Sequence, residues 1–497
     1  MCKTIATTII CVFALLLFTL TACNAQDPAP DQLYTLDDLL YIARERRLDI
    51  IANRPTHEQL LELTQGREPP AIDMLYDMWQ LILNYSSNTV QSITAAEAIE
   101  DAELFLMSLR LIYGPYIYFG GDAVFAPVFD EIIAEIATHE TMQPFLLEDI
   151  LFRALNPVIN DNHFVLGRNR LRQSANFFTS AEPFDRDERG FVHRTSGRVV
   201  AEIEGRDMYD VLRLSIDEDG DIFYSAAIYE LGPAGLPRRN LNIVFDDGDS
   251  MALTLEQHRP AWRIYRPPSL EWIDGVPVVT VMSMGFPHED GHNNESARAF
   301  LSFAEELRDE PVVFIDVRSS RGGNGNLGPH WLYEFFGNVI PYSYMRLATW
   351  DYQHIAMASP TYTVSPEHFI RFNMPSAFDA NHSIMPYRLP DGLMPSNQLI
   401  IMLADRFTGS AGEGFVSLML SLENTLIIGQ NTTGVYRSCQ SMHFMLPNSG
   451  IQIAFGQSLV VGGDELFIEG VGFASDIWVH GDALVAALTL IDINLNE

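Results

Sequence analysis

Lysine is all but missing from this sequence: Lys3 is the single lysine among 31 basic residues. A mechanism that needs a lysine base or a Schiff base in the body of the protein is therefore excluded. Cysteine is nearly as scarce, with Cys2, Cys11 and Cys23 near the amino terminus and Cys439 alone further on. The body can form no intrachain disulfide and no thiolate zinc site, so its stability must come from a core. Positive charge is short throughout, and the net charge is −34. A surface that acidic repels nucleic acid and anionic lipid, which argues against a DNA or RNA partner. It serves solubility, or more pointedly the attraction of cationic peptides. The 497 residues are 47% apolar, enough for two or three domains with at least one sizeable core.

Residues 1–23 read as a segment outside the fold. Lys3 starts it, IATTIICVFALLLF forms an apolar centre, and LTAC (20–23) closes it with small residues before a cysteine. The pattern resembles a bacterial lipoprotein signal peptide and lipobox, with cleavage before Cys23 and lipid on its thiol. An uncleaved membrane anchor is the alternative. Either implies a body on the extracytoplasmic face of the cell membrane, tied to it only through the anchor, with NAQDPAPDQ as tether. Removing the segment leaves 30 arginines against 65 acids, or 30 − 65 = −35.

Three regions follow. Residues 33–155 predict an N-terminal helical domain, with TAAE (94–97) as a capping box. Residues 190–265 predict a small β-rich module, in which LNIVF and SMALTLEQH flank an Asp-Gly turn. Residues 270–497 predict an α/β core. VPVVTVMSM, PVVFIDV and QLIIMLAD are apolar runs suited to strands buried on both faces. SARAFLSFAEELRD, PHWLYEFFG and EGFVSLMLSLE supply the alternating helices. The fold class is α/β.

The stretch FTGSAGEGF (407–415) places Ser410 where a strand gives way to a helix. Unpaired N–H groups at such a terminus can hold a developing oxyanion, worth roughly 10²–10³ in rate per donor. A plain N-cap is the simpler role for a serine there. Thr408 occupies the first glycine position of a G-x-S-x-G elbow.

Four motifs in order surround that serine: Asp316-Arg318-Gly322-Gly323 in VVFIDVRSSRGG, Thr408-Ser410-Ala411-Glu413, Gly429-Thr432-Gly434, and FIEGVGFASD (467–476). The set resembles the tail-specific (C-terminal processing) peptidases, which include the tricorn core protease and the repeats of interphotoreceptor retinoid-binding protein. The resemblance implies a ClpP/crotonase-like α/β core, with the module at 190–265 in the place of a PDZ-like domain. It also implies a serine peptidase acting on peptide or protein substrates without a cofactor or metal. The lysine of the family's Ser–Lys branch is replaced by Val435. The tricorn-like branch implies Ser410 as nucleophile, His163 of INDNHF as base and Glu469 as the supporting acid. Ala411 and Gly323, with Gly322 the alternative, would be the oxyanion donors. Asn162 stands where the tricorn pattern has a serine, and could orient Glu469 through its amide.

HEDGH (288–292) fits H-E-x-x-H, but Pro287 and an internal Asp-Gly make it a loop rather than a zinc-binding helix. DEDGD (217–221) lacks the spaced glutamate of a calcium loop and reads as an acidic turn. Two other functions stay open: a non-catalytic ligand- or peptide-binding lipoprotein on the same fold, and an esterase or amidase using the same residues.

Overall fold

The computed structural model describes residues 34–495 apart from 57–58, 60–62, 64–89, 233–234, 236, 260, 262, 286–294, 339, 341–344, 349–391 and 462–466. The amino-terminal segment with Cys23, and the HEDGH loop, lie outside the described residues.

Among the described residues, eight helices of nine residues or more organise the fold: α1 (Leu36–Asn53), α2 (Ala95–Leu111), α3 (Asp122–Ile136), α4 (Pro144–Leu155), α5 (Glu295–Glu306), α6 (Leu327–Phe336), α7 (Ala411–Met419) and α8 (Ala483–Leu495). The capping box read at 94–97 is present: Glu97 accepts the Thr94 N–H at 2.7 Å and Thr94 Oγ1 accepts the Glu97 N–H at 3.3 Å.

One thirteen-stranded sheet runs through the molecule. Its strands are β1 (Ala175–Asp187), β2 (Gly190–His193), β3 (Arg198–Ile203), β4 (Leu212–Ile216), β5 (Ile222–Leu231), β6 (Arg238–Phe245) and β7 (Ser250–Gln257), then β8 (Ser269–Ile273), β9 (Val276–Thr280), β10 (Val312–Asp316), β11 (Leu399–Ala404), β12 (Thr425–Gly429) and β13 (Ile477–Val479). The spatial order is β7-β6-β3-β2-β1-β5-β4-β13-β12-β11-β10-β9-β8. From β9 across to β4 every neighbour is parallel, which gives the mixed α/β class expected from the alternating runs.

The central strands are buried on both faces, and their side chains alternate between two layers. Val313, Ile315, Ile400, Met402 and Ile427 meet α5, α6 and α7 through Phe300, Trp331 and Phe415. Val312, Phe314, Ile401, Leu403 and Leu426 meet α1 and α8 through Leu39, Ala43, Ala487 and Leu490. Helix α1 thus packs on the α/β core rather than with α2–α4, a placement that its own periodicity does not reveal.

The strand-rich region begins at Ala175, ahead of position 190 where alternation becomes legible. Pairing of β7 with β1 at Glu256↔Thr179 closes β1, β2, β3, β6 and β7 into a ring around Phe178, Phe184, Phe191 and Phe245. Through β4 and β13 this region continues into the core sheet, at Trp478↔Ser215 and Val479↔Ile216.

A second, five-stranded sheet contains Ser438–Met445 and Gln452–Val461. Helices α2–α4 cover it, burying Phe105, Phe129 and Leu147 against Phe444, Ile453 and Phe455. That packing carries the segment following α4, with His163, to the carboxyl end of the parallel strands.

Candidate active site

Ser410 is reached through a turn locked by its neighbours. After β11, Asp405 accepts the N–H groups of Ser319 and Phe407, each at 2.9 Å. Thr408 Oγ1 donates to the Val317 carbonyl at 2.9 Å and accepts the Asp405 N–H at 3.1 Å. The threonine that fills the first glycine place of the elbow therefore ties the turn to β10. Ser410 then adopts φ 52 and ψ −117, immediately before α7. A non-glycine residue held there costs on the order of 1–3 kcal/mol and persists only where its surroundings impose it.

Those surroundings centre on Glu413, which is fully buried. Its carboxylate accepts the Ser410 N–H at 3.0 Å, the Gly434 N–H at 2.7 Å, the Val435 N–H at 2.9 Å and the Thr432 hydroxyl at 2.6 Å. Burial pushes this carboxyl above its ordinary range, and the four donors pull it back. The motif positions Glu413, Thr432 and Gly434 thus form one cluster that sets the serine backbone. Val435 contributes only its N–H to it.

The serine hydroxyl faces the histidine: His163 Nε2 lies 3.0 Å from Ser410 Oγ. The loop holding His163 is fixed on both sides. Phe164 is fully buried and meets Tyr113 edge-on with ring centroids 5.1 Å apart. Asp161, also fully buried, accepts the His163 N–H, the Ser438 hydroxyl and the Tyr113 hydroxyl, each at 2.9 Å. Tyr113, the first residue of YGPYIYFGG (113–121), thereby supplies one of the donors that hold Asp161.

Glu469 enters differently from what the resemblance implies. No hydrogen bond joins it to the His163 ring among the described residues. It accepts the Asn162 N–H at 2.8 Å and, on its other oxygen, the N–H groups of Tyr436 at 3.1 Å and Arg437 at 2.8 Å. The Asn162 amide does not orient Glu469 either: it donates to the Gly434 carbonyl at 2.8 Å, and the Asn162 backbone makes the bond to Glu469. A buried carboxylate satisfies itself first with nearby backbone donors, and three are at hand here. Burial first, and the neighbouring Asp161 second, push Glu469 up to about 8.

His163 Nδ1 is buried with no side-chain acceptor among the described residues, and the Ser438 backbone is the backbone group that favours the protonated ring. Burial lowers the pKa of the ring, and the largest opposing influence is the charge of Asp161. Asp161 is thus the functional residue that sequence reasoning passed over. The signal was present in NDNHF, because an Asp two places before a residue commonly accepts that residue's N–H.

Opposite Ser410 stands the glycine pair, with φ +96 at Gly322 and +136 at Gly323. A Cβ on Gly322 would fall 2.6 Å from Ser410 Cβ and 2.8 Å from the Ala411 nitrogen, so only glycine permits the approach. The N–H groups of Ala411, Gly322 and Gly323 meet no acceptor among the described residues. Asp316 and Arg318 of the same motif form a bidentate pair at 2.9 and 2.8 Å that fixes the start of this loop.

Residues 277–479 match the model of peptidase family S41. This segment is similar to the members of that family. All four motifs on which the resemblance to C-terminal processing peptidases rests lie within it, while His163 precedes it. No curated protein sequence matches the chain. Among solved structures, mature CPAF is 11% identical, with 80% of this chain and 96% of that one covered and a TM-score of 0.40. The photosystem II D1 C-terminal processing protease is 13% identical over 78% and 93% of the two chains, with a TM-score of 0.36. A putative peptidase from Parabacteroides merdae is 12% identical over 81% and 96%, with a TM-score of 0.38.

Proposed function

We propose that this protein is a serine peptidase in which Ser410, His163 and Glu469 act together on peptide bonds. The observation that carries the reading is the 3.0 Å approach of His163 Nε2 to Ser410 Oγ. Nε2 takes the hydroxyl proton as Oγ bonds to the substrate carbonyl carbon, and the carbonyl electron pair moves onto oxygen. The N–H of Ala411 and that of Gly323, or of Gly322, receive the oxyanion. Collapse expels the amine, which takes its proton from His163, and water then cleaves the acyl-enzyme by the same steps in reverse. Proton transfer of this kind contributes about 10²–10⁴ in rate. Asp161 is the carboxylate that most favours the imidazolium, and Glu469 positions the histidine loop through Asn162.

The reading extends to a ClpP/crotonase-like catalytic core at 270–497, with the strand ring in the place of a PDZ-like domain. It also extends to lipid anchoring through Cys23 on the extracytoplasmic face of the cell membrane. A fluorophosphonate probe tests the central claim: it labels the wild type and not Ser410→Ala. Equal labelling of the two removes Ser410 from the role. His163→Ala is expected to fold and to lose labelling by at least about 10²-fold in rate.

A further inference from the structure

A cavity of about 270 Å³ lies where α1, β4 and the FASD segment meet, and neither Ser410, His163 nor Glu469 lines it. Its apolar wall includes Leu39, Leu212, Leu214 and Trp478. Three guanidinium groups line this space, Arg46 from α1, Arg186 from β1 and Arg213 from β4, together with Asp207, Asp210 and Asp476; Arg46 and Arg213 are the two of interest.

Neither has a carboxylate within ion-pairing distance among the described residues. Arg46 makes one long hydrogen bond, to the Ser475 carbonyl at 3.5 Å. The nearby Asp476 is taken by the adjacent Arg47. Arg186, also on the wall, is engaged with the Tyr209 hydroxyl at 2.6 Å. In a chain with 65 acidic residues, two neighbouring, half-buried guanidinium groups with no ion pair among the described residues are an anomaly. Such charges are ordinarily paired when removed from water. Burial, and then the charge of Arg46, push Arg213 down to about 10, with Asp210 acting the other way. A further donor stands close by: the Trp478 indole N–H is buried with no acceptor among the described residues.

Two guanidinium forks lining one cavity suit the planar oxygens of a carboxylate or phosphate. We propose that this cavity binds a small organic anion, its carboxylate or phosphate oxygens between Arg46 and Arg213 and its apolar part against Leu39, Leu212, Leu214 and Trp478. The site is separate from the one at Ser410 and does not depend on what that serine does.

The test uses the full chain carrying Ser410→Ala, so that turnover plays no part. Calorimetric titration compares 3-phenylpropionate and phenyl phosphate with the neutral 3-phenylpropanol. At least one anion is expected to bind about tenfold or more tightly than the alcohol. The arm that binds distinguishes a carboxylate ligand from a phosphate one. Arg213→Met lowers that affinity about tenfold or more, whereas Asp210→Asn raises it by removing a competing charge. If Arg213→Met does not fold, Arg46→Met takes its place. Three results overturn the proposal: no saturable binding of either anion up to roughly 10 mM, equal binding of the alcohol, or full affinity in the folded arginine variants.

Discussion

The Glu469 carboxylate accepts the N–H of Asn162 at 2.8 Å, one peptide ahead of the imidazole that approaches Ser410. Glu469 therefore acts on where the ring sits, while Asp161 acts on how readily the ring carries charge. Two variants separate these effects. Glu469→Gln presents a donor to backbone N–H groups and loosens the loop, so kcat falls by roughly 10²-fold while the pH profile of kcat/KM keeps its position. Asp161→Asn removes the charge that favours the imidazolium, so the acid limb of the profile moves to lower pH. The check is a pair of pH–rate profiles on one peptide. A shifted limb in Glu469→Gln, or an unshifted one in Asp161→Asn, reverses the assignment.

Glu413 is expected to matter for stability before it matters for chemistry. Its removal in Glu413→Ala strands the N–H groups of Ser410, Gly434 and Val435 and the hydroxyl of Thr432 in a buried site. An unsatisfied buried group costs about 1–3 kcal/mol, so the variant loses about 3 kcal/mol or more of unfolding free energy. Urea denaturation measures this directly. A change below about 1 kcal/mol would mean that water replaces the carboxylate at little cost.

Gly322 tests the approach of the glycine loop to the serine. Gly322→Ala sets a Cβ within 2.6 Å of Ser410 Cβ and strains a φ of +96. The loop must retreat, and the donors facing Ser410 retreat with it. Labelling by fluorophosphonate is expected to slow by about 10²-fold, the scale of one lost oxyanion donor, while far-UV circular dichroism stays that of the wild type. Unchanged labelling would place the oxyanion elsewhere.

Much of this architecture could be read along the chain. PVVFIDV and QLIIMLAD announce β10 and β11 because strands buried on both faces leave no polar period. The Asp-Gly turn between LNIVF and SMALTLEQH announces β6 and β7, because its chemistry is local. What escaped depends on the third dimension. Helix α1 has no signal telling it to pack on the core instead of on α2–α4. β1 is hard to see, since its Phe177, Phe178 and Phe184 serve two different clusters. At the site, Ser410 and His163 were reachable from motifs 247 positions apart. The partners of the carboxylates were not: Glu469 is satisfied by backbone N–H groups, which every residue type but proline supplies, and Asp161 draws two of its three donors from the hydroxyls of Tyr113 and Ser438, remote along the chain.

Acid should loosen the junction between the strand-rich region and the core through His480. Its Nε2 lies 2.8 Å from Ser225 Oγ, which in turn meets Ser215 at 2.7 Å on the strand paired with β13. Burial, with the neighbouring His258 adding to it, holds the His480 pKa down at about 4. In the unfolded chain a histidine titrates near 6.5. The unfolded state therefore binds the proton first as pH falls, and stability contributed by the neutral ring is lost between about 6.5 and 4. His480→Asn removes this titration. At pH 7.5 the variant is less stable than the wild type by about 0.5–1.5 kcal/mol, the worth of the hydrogen bond to Ser225. At pH 4.5 the difference narrows or reverses, because only the wild type must then keep a histidine neutral against the solvent. Denaturation of both proteins at the two pH values decides it, and a gap that stays constant would show that the junction is indifferent to the charge of His480.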